Sequence, residues 1–524
     1  MHKFQTPVLS KMLLVFLGLT VIVPIVSAQI QAKELFRFAE PSARFVAEKP
    51  QTEKLSIAAV REQAIDLRIT GKEIKELDEF NFPLLGGENY KAVRDLNEGL
   101  IVRSASDVTW RGKLEAFPDS SLTLTFKHNV LSGLIYAPTG VYEIVPQASG
   151  KHVLVQIDQS LFPECVDDDF SSVNSSTEVF NYPLMKTKRF DLFDSNPADP
   201  ALDAADSGDR IDVLVLYTRA VKNMLGGAAQ AEAVAQQAIV DSNSAYRNSR
   251  VRLRVRLAGT AELNFTESGA LQTDLVALRD NPQAAALRDQ TKADLVALIT
   301  NSGDGCGVGY VMTDVNTAFA PKGYSISVRS CAIGNLSFAH ELGHNFGLAH
   351  NTESSRNGSA FPYAFGHYVN GSFSTVMSYS SSCPQGCPRV PYFSNPQVFY
   401  NNQPTGITDA RDNARALNNT AETVANFRYS GGSLTLLAPN GGESWSRNLP
   451  RRVRWSSDNL DGEVRIELSR EGGENYETLI AATANDGEEV ISLKGRFTRQ
   501  ARVRISSLSN SSVTDSSVAT FSIK

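Results

Sequence analysis

The sequence predicts a multidomain protein in which a central α/β unit lies between two β-rich regions. Its 524 residues exceed what one hydrophobic core usually holds, since domains contain about 100–200 residues. Short runs of alternating apolar and polar residues dominate both ends of the chain, whereas the middle opens with a strand, a long helix and further strands. We therefore divide the chain into residues 1–28, 29–209, 210–430 and 431–524.

The composition is that of a globular protein. Hydrophobic residues make up 42% of the chain and charged residues 21%, which argues against a polytopic membrane protein, a collagen and a disordered chain. The formal net charge of −6 at pH 7 lacks the basic bias that phosphate contacts need, so we expect no nucleic-acid partner.

Residues 1–28 have the pattern of a secretory signal peptide. Lys3 and Lys11 precede an apolar run over 13–26, and Ser27 and Ala28 close it with the small residues that signal peptidase accepts. The run is shorter than the ~20 residues that cross a bilayer, although an uncleaved anchor is the alternative. The pattern predicts a secreted, extracellular protein whose mature form has no membrane partner and can hold disulfides.

The next region, residues 29–209, is predicted to be β-rich and to end in a linker. Alternating stretches at 121–126 and 141–145 are typical of strands. From 167 onwards the chain is acidic, then Ser/Asn-rich, then basic at 186–189, and finally rich in Asp, Ala and Pro. Such a composition cannot bury a core, which indicates a linker.

The α/β unit is predicted from position 211. A buried-strand run covers 211–217, and apolar residues from Val221 to Tyr246 recur at three- and four-residue spacing, which predicts one helix. The remaining elements are strands at 251–257 and 294–300 and a closing helix at 409–427. Alternating stretches separated by Gly and Asn turns then predict an all-β sandwich over 431–524.

The segment 340–350 carries the chemistry. His340 and His344 lie four residues apart, so on a helix both imidazoles leave one face and can bind one Zn2+ ion. Glu341 directly follows His340, and its carboxylate can act there as a general base towards water at the metal. Gly347 can adopt the positive φ that ends the helix and lets His350 supply a third nitrogen. Three ligands leave one position for water, as in catalytic zinc sites, whereas the alternative is a surface helix that carries histidines by chance.

This segment resembles the motif of the metzincin zinc metalloendopeptidases, and it reads His340-Glu341-Leu342-Gly343-His344-Asn345-Phe346-Gly347-Leu348-Ala349-His350. The resemblance covers roughly 211–429 and is closest to secreted bacterial reprolysin-like, adamalysin-type proteases. It implies an α/β (α+β) catalytic domain with a mixed five-stranded sheet over 210–430 and one catalytic Zn2+ ion. Substrate would lie along an edge strand of that sheet, for which 307–312 is the candidate.

The resemblance also implies roles for two residues beyond the third histidine. Met377 matches the Met-turn, a hydrophobic floor beneath the ligands, although a lone Met usually only fills a core. Tyr379 matches a metal-proximal tyrosine whose phenol can ligate the resting metal and stabilise an oxyanion; the alternative is a buried tyrosine in a packing role. Asn351 departs from the Asp of reprolysins and the Glu of astacins, which leaves the metzincin subfamily open.

Four of the five cysteines lie in the predicted catalytic domain. Short separations favour the pairs Cys306 with Cys331 and Cys383 with Cys387, with crossed pairing or free thiols as alternatives. Cys165 is left over in the N-terminal region. A thiolate is a good zinc ligand, so Cys165 is a candidate for a cysteine switch like that of matrixin and adamalysin propeptides; the alternative is an incidental odd cysteine.

These features predict a zymogen built from a signal peptide (1–28), a β-rich propeptide and linker (29–209), a metzincin protease domain (210–430) and a C-terminal domain (431–524). The last resembles an immunoglobulin-like domain in its segment 439–445 and in Trp455. The predicted activity is hydrolysis of peptide bonds in extracellular proteins, with Glu341 as general base. We expect the protein to be a monomer. Its expected partners are protein or peptide substrates. The alternative is a catalytically inactive protease-like adhesion or binding protein.

Overall fold

We analysed a computed structural model of the chain. It describes residues 33–39, 56–95, 99–104, 106–166, 206, 208–355, 358–429, 432–458, 460, 462–511 and 513–524. The predicted signal peptide 1–28, the basic segment 186–189 and most of the predicted linker lie outside the described residues.

A ten-stranded antiparallel sheet forms the N-terminal region, residues 33–166. Its strands are β1 (Phe36–Phe38), β2 (Ala59–Leu67), β3 (Glu79–Pro83), β4 (Asn89–Arg94), β5 (Leu100–Ser104), β6 (Asp107–Leu114), β7 (Phe117–Lys127), β8 (Val130–Ala137), β9 (Gly140–Pro146) and β10 (His152–Ile157). Their order is β1-β2-β10-β9-β8-β7-β6-β4-β3, and β5 also pairs with β6. A short helix, α1 (Gly71–Ile74), begins at a Thr70 capping box.

Strand β9 is buried on both faces of this sheet. Successive side chains of a strand point to opposite faces. Tyr142 and Ile144 enter a core that belongs to the N-terminal region alone. Val141 and Val145 belong instead to a core shared with the rest of the protein, and Glu143 between them is fully buried. One face of the N-terminal sheet is therefore an interface with the following unit.

The central unit, residues 208–429, is built on a mixed five-stranded sheet. Its strands are β11 (Arg210–Thr218), β12 (Arg254–Leu263), β13 (Leu295–Thr300), β14 (Gly307–Gly309) and β15 (Tyr324–Val328). The order is β12-β11-β13-β15-β14, with parallel pairing throughout except that β14 is antiparallel to β15. All nine residues of β11 are buried, as expected for a central parallel strand covered on both faces. Strand β14 lies at the edge.

Seven helices surround this sheet among the described residues of the unit. They are α2 (Arg219–Leu225), α3 (Ala228–Asn248), α4 (Leu271–Arg279), α5 (Pro282–Thr291), α6 (Arg329–Ala332), α7 (Ser337–Asn345) and α8 (Asn413–Ala425). The prediction of one helix from Val221 to Tyr246 was wrong in one respect. Gly226 takes a left-handed conformation, with φ of 90°, and ends α2 before α3 begins. Two small hairpins follow α7: β16 (Tyr368–Val369) with β17 (Phe373–Ser374), and β18 (Phe399–Tyr400) with β19 (Gln403–Pro404).

The C-terminal unit, residues 432–524, has two sheets around one apolar core. Its strands are β20 (Ser433–Ala438), β21 (Ser444–Trp445), β22 (Pro450–Asp458), β23 (Glu463–Ser469), β24 (Glu477–Ala484), β25 (Glu488–Ser492), β26 (Thr498–Ser507), β27 (Thr514–Ser516) and β28 (Phe521–Ile523). One sheet is β20-β22-β25, and the other is β21-β28-β26-β23-β24 with β27 on β26. Trp445 and Trp455 are buried in the core between the sheets.

The N-terminal region packs directly on the central unit. Helix α3 contacts β7 and β8, and the Thr123 hydroxyl donates a 2.6 Å hydrogen bond to Asp241 of α3. Arg329 at the start of α6 forms a 2.8 Å ion pair with Glu143, and both side chains are at most 1% exposed. In the part of the chain that the structure describes, no helix is long and apolar enough to cross a membrane.

Candidate metal centre

Helix α7 and the turn after it bring three histidines together. His340 and His344 lie one turn apart on α7, so both side chains leave the same face. Gly347 follows the helix with φ of +83°, a conformation that side chains other than glycine rarely adopt. A Cβ at this position would also lie 2.6 Å from the Met312 carbonyl oxygen. This reversal brings His350 back to the other two histidines, as the spacing predicted.

The three Nε2 atoms form a nearly equilateral triangle. The distances are 3.2 Å between His340 and His344, 3.1 Å between His344 and His350, and 3.1 Å between His350 and His340. Ligand nitrogens of a tetrahedral zinc site with bonds of 2.0–2.1 Å lie about 3.3 Å apart. The triangle is thus the right size for one zinc ion.

The hydrogen bonds of the histidines fix which nitrogens face the centre. Nδ1 of His340 lies 2.8 Å from the Val376 carbonyl oxygen, and Nδ1 of His344 lies 2.9 Å from that of Leu348. A carbonyl oxygen only accepts, so each Nδ1 donates, and each Nε2 presents a lone pair to the centre. Burial, followed by the neighbouring His344, lowers the pKa of His340 well below its usual range and keeps the ring neutral. The Nε2 lone pairs of His340 and His344 thus point at a common centre, an arrangement that suits a metal cation.

Glu341 lies beside the triangle on the edge-strand side. It is fully buried, and one of its carboxylate oxygens lies within 4.8 Å of the ligand atoms of His340 and Cys165. Its side chain packs against the backbone of β14, since a Cβ added to Gly307 would lie 2.5 Å from Oε1 of Glu341. Gly307 thus lets α7 approach the edge strand. Sequence reasoning missed this role, although the Gly-Val-Gly pattern of β14 was a possible signal.

Met377 packs against helix α7 at Gly343. It is fully buried, and its Sδ lies 2.5 Å from where a Cβ on Gly343 would be. The preceding residue, Val376, supplies the carbonyl that orients His340. The Met377 turn thus supports both the helix and one histidine ring.

Tyr379 packs its ring on the histidines. The ring centroids of Tyr379 and His350 are 4.0 Å apart, and those of Tyr379 and His340 are 6.1 Å apart. The hydroxyl donates a 2.9 Å hydrogen bond to the carbonyl oxygen of Cys165. In this structure the Tyr379 hydroxyl is therefore bound to the backbone of the N-terminal region.

Asn351 links the third histidine to the Tyr379 segment. Its amide oxygen accepts a 3.0 Å hydrogen bond from the Tyr379 backbone N–H, while its amide nitrogen donates 2.9 Å to the Ser382 hydroxyl. The same amide nitrogen also donates a 3.1 Å hydrogen bond to the Glu353 carboxylate. A carboxylate at position 351 could not make this bond, because it has no N–H donor and would repel Glu353. The departure at Asn351 from the familiar acidic residue thus has a local hydrogen-bonding reason.

Cys165 reaches the centre from the N-terminal region. Its thiol is buried, and burial followed by the charge of Glu341 raises its pKa well above the usual range. The flanking backbone bonds to the edge of the sheet: Cys306 N–H donates to the Glu164 carbonyl at 3.2 Å, and Val166 N–H donates to the Gly307 carbonyl at 2.8 Å. The segment 164–166 therefore lies over the edge strand and beside the histidines.

The disulfides connect this neighbourhood. Cys306 pairs with Cys331, and Cys383 pairs with Cys387, as their short separations favoured. The first joins the residue just before β14 to α6, and the second closes a small loop after Tyr379. Cys165 remains a free thiol.

Sequence reasoning also missed three charged residues near the centre. Glu143 and Arg329 pair across the two regions, and Arg389 bonds to the backbone beside Met377 and just before α7. The patterns around these residues are unremarkable, and their importance arises from contacts between distant parts of the chain.

Three converging histidines with a buried carboxylate beside them define the class: a single-metal hydrolase site on a mixed α/β sheet. Residues 209–410 match the model of the reprolysin-like metallopeptidase family M12B. The chain belongs to this family, and it is a zinc metalloendopeptidase.

Relatives of known name support this assignment. The chain is 32% identical over 398 residues to a peptidyl-Asp metalloendopeptidase from Stenotrophomonas maltophilia, and the alignment spans 71% of this chain and 87% of that protein. A protein of the same name from Xanthomonas campestris pv. campestris is 28% identical over 404 residues, spanning 74% and 89%. A solved structure described as a chaperone–substrate complex aligns with 43% of this chain and with 36% of its own chain. The sequence identity is 21% and the TM-score is 0.35.

Proposed function

We propose that this protein is a secreted endopeptidase made as a zymogen, and that it cuts peptide bonds next to aspartate. The observation that carries the proposal is the buried Glu341 carboxylate beside three converging histidines. The aspartate preference is supported by relatives that bear the name peptidyl-Asp metalloendopeptidase. The signal-like residues 1–28 support secretion.

In this proposal His340, His344 and His350 hold the metal through Nε2. The bound zinc ion supplies a Lewis acid that polarises a peptide carbonyl and makes water more acidic. Glu341 takes a proton from the attacking water and delivers it to the leaving nitrogen. The Tyr379 hydroxyl, once released from Cys165, donates a hydrogen bond to the oxyanion.

Substrate binds as an added strand on β14. Cys306 N–H and Gly307 C=O at this edge are groups that an extended peptide needs, and in the structure they bond to residues 164 and 166. The N-terminal region therefore occupies the substrate groove that we propose. This competition supports latency of the precursor.

Latency then has three parts. Cys165 places its thiol beside the histidines, Tyr379 is held by the Cys165 carbonyl, and the Glu164 carboxylate accepts a 2.9 Å hydrogen bond from Ser381 N–H. With zinc bound, a Cys165 thiolate would take the ligand position that water needs. Removal of residues 29–209 would free all three groups. In this division, 210–430 is the metzincin protease domain and 431–524 an immunoglobulin-like domain.

The decisive experiment compares two glutamate variants of the secreted, processed enzyme. Glu341→Gln should keep one zinc per chain and lose casein hydrolysis by at least about 10²-fold in kcat, because the base acts in the transition state. Glu422→Gln, at an exposed position on α8, is the matched control and should keep activity. Retained hydrolysis in Glu341→Gln would refute the assigned base.

A chelator separates the enzyme from the alternative, an inactive protease-like binding protein. Casein hydrolysis by the processed protein should stop with a chelator and return with zinc. A protein that never hydrolyses casein, with zinc bound, would favour the binding role. N-terminal sequencing of the unprocessed precursor locates the signal-peptide cleavage, and that of the processed form locates the end of the propeptide.

A further inference from the structure

Arg389 is a buried cation close to the reaction centre. It lies two residues after the Cys383–Cys387 disulfide, and its side chain is 3% exposed. Nη1 donates a 3.0 Å hydrogen bond to the Asn335 carbonyl, and Nη2 donates 2.9 Å to the Ser378 carbonyl. Asn335 precedes α7 by two residues, and Ser378 separates Met377 from Tyr379. The guanidinium thus bonds both to the backbone just before α7 and to the turn that contains Met377 and Tyr379.

This cation has no anion. Among the residues that the structure describes, no carboxylate lies within 4.0 Å of the Arg389 guanidinium, and its buried Nε has no hydrogen-bond partner. A guanidinium has five N–H donors, and the two carbonyls use two of them. A buried charge without a counter-charge destabilises a protein, so a buried guanidinium with unused N–H donors in this position indicates a binding site for an anionic group.

The N-terminal region packs next to the segments that hold Arg389. Gln159 donates a 2.9 Å hydrogen bond to the Gly334 carbonyl, beside Asn335, and Tyr136 on β8 lines a small pocket with Leu336 and Pro391. Burial, followed by the charge of Asp241, raises the pKa of Tyr136 on β8, and the positive charge of Arg389 opposes that rise. Arg389 therefore lies within electrostatic reach of Tyr136, a side chain that leaves with the propeptide in the proposed processing. Processing would open a cationic pocket beside the histidines.

We propose that Arg389 is the specificity-determining residue of the mature enzyme and binds the carboxylate of the substrate aspartate next to the cleaved bond. This inference rests on the proposed function, which gives the aspartate preference but no residue for it. The fork of an arginine pairs with a carboxylate through two parallel hydrogen bonds, whereas the amide of asparagine meets it with one acceptor only. The two carbonyl contacts hold the guanidinium in place before substrate arrives.

A second buried arginine provides the comparison. Arg329 is also released from the N-terminal region by processing, but in the precursor it already pairs with Glu143 at 2.8 Å. Its guanidinium bonds neither to the Met377 turn nor to the residues just before α7, in the contacts that the structure describes. Arg329→Gln is therefore the matched variant that removes an equally buried arginine from the same unit.

The test measures kcat/KM of the processed enzyme for two peptides that differ only in Asp or Asn beside the cleaved bond. The parent should prefer the Asp peptide. Arg389→Gln should lower the Asp/Asn ratio at least about 10-fold, and Arg389→Lys, which keeps the charge but loses the fork, at least about threefold. Arg329→Gln should leave the ratio as it is in the parent. Zinc content and circular dichroism establish that each variant is folded.

The outcomes separate the two proposals. An unchanged ratio in Arg389→Gln overturns the role of Arg389, as does a ratio that falls only in Arg329→Gln. If Arg389→Gln binds no zinc, Arg389→Lys decides, and an unchanged ratio there overturns the inference. A parent that cuts both peptides equally removes the aspartate preference and the Arg389 role with it. A parent that cuts neither, with zinc bound, refutes the proposed function itself.

Discussion

The buried ion pair between Glu143 and Arg329 should help to hold the N-terminal region on the central unit, and its loss should make the proposed precursor active. Both side chains are at most 1% exposed, and the charged atoms lie 2.8 Å apart. Burial raises the pKa of Glu143, and Arg329 opposes that rise. Glu143→Ala leaves the guanidinium of Arg329 buried without its partner, and two of its nitrogens already lack hydrogen bonds.

The magnitude follows from the burial of the pair. Removing one partner of a buried ion pair costs about 3–5 kcal/mol. At about 1.36 kcal/mol per tenfold change, the equilibrium between docked and undocked propeptide shifts on the order of 10²- to 10⁴-fold. The hydrolysis of a small peptide by the unprocessed precursor should rise by a corresponding factor until the undocked form dominates.

The assay follows peptide hydrolysis by purified full-length precursor, with immunoblots to establish that it is uncut. Glu115→Ala is the matched control, because Glu115 is 57% exposed and pairs with Lys91 on the surface of the same region, where a pair contributes about 0–1 kcal/mol. The double variant Glu143→Leu with Arg329→Met should restore latency, since an apolar pair fills the site without a buried charge. A Glu143→Ala precursor as latent as the parent would refute the reasoning.

Three further predictions concern latency and catalysis. Cys165→Ser should give premature activity in the full-length precursor, since a hydroxyl is a far weaker zinc ligand than a thiolate; a variant as latent as the parent would show that the propeptide body alone blocks the cleft. Tyr379→Phe should lower kcat of the processed enzyme about 10²-fold with KM little changed, and an unchanged kcat would return the tyrosine to a packing role. Burial raises the pKa of Asp241 to about 8, and the hydrogen bonds from Thr123 and Gln237 oppose that rise. If propeptide release exposes Asp241 and returns its pKa towards 3.8, protonation favours the docked state. Docking should then weaken by up to about tenfold per pH unit between pH 4 and 8, with no further loss above. Activation rates of the precursor at pH 5, 7 and 9 measure this, and Asp241→Asn should flatten the dependence; the same slope in that variant would contradict the assignment to Asp241.

The metal centre was readable from the sequence because its parts are close along the chain. His340 and His344 need only one helical turn, and Gly347 needs only its own freedom of φ to bring back His350. The disulfides followed from short separations for the same reason. Local rules also predicted the strands within β7, β9 and β11, but they missed the helix break at Gly226, since an apolar stripe persists on both sides of it.

Tertiary structure alone decided which residues of the N-terminal region meet the central unit. Glu143 and Arg329 are 186 positions apart, and Cys165 and Tyr379 are 214 apart. The odd count of cysteines suggested a free thiol, but neither periodicity nor spacing relates such distant positions. Arg389 is the clearest case, because its significance lies in having no carboxylate nearby among the described residues. Burial and the absence of a counter-charge are properties of packing, and they exist only once the chain is folded.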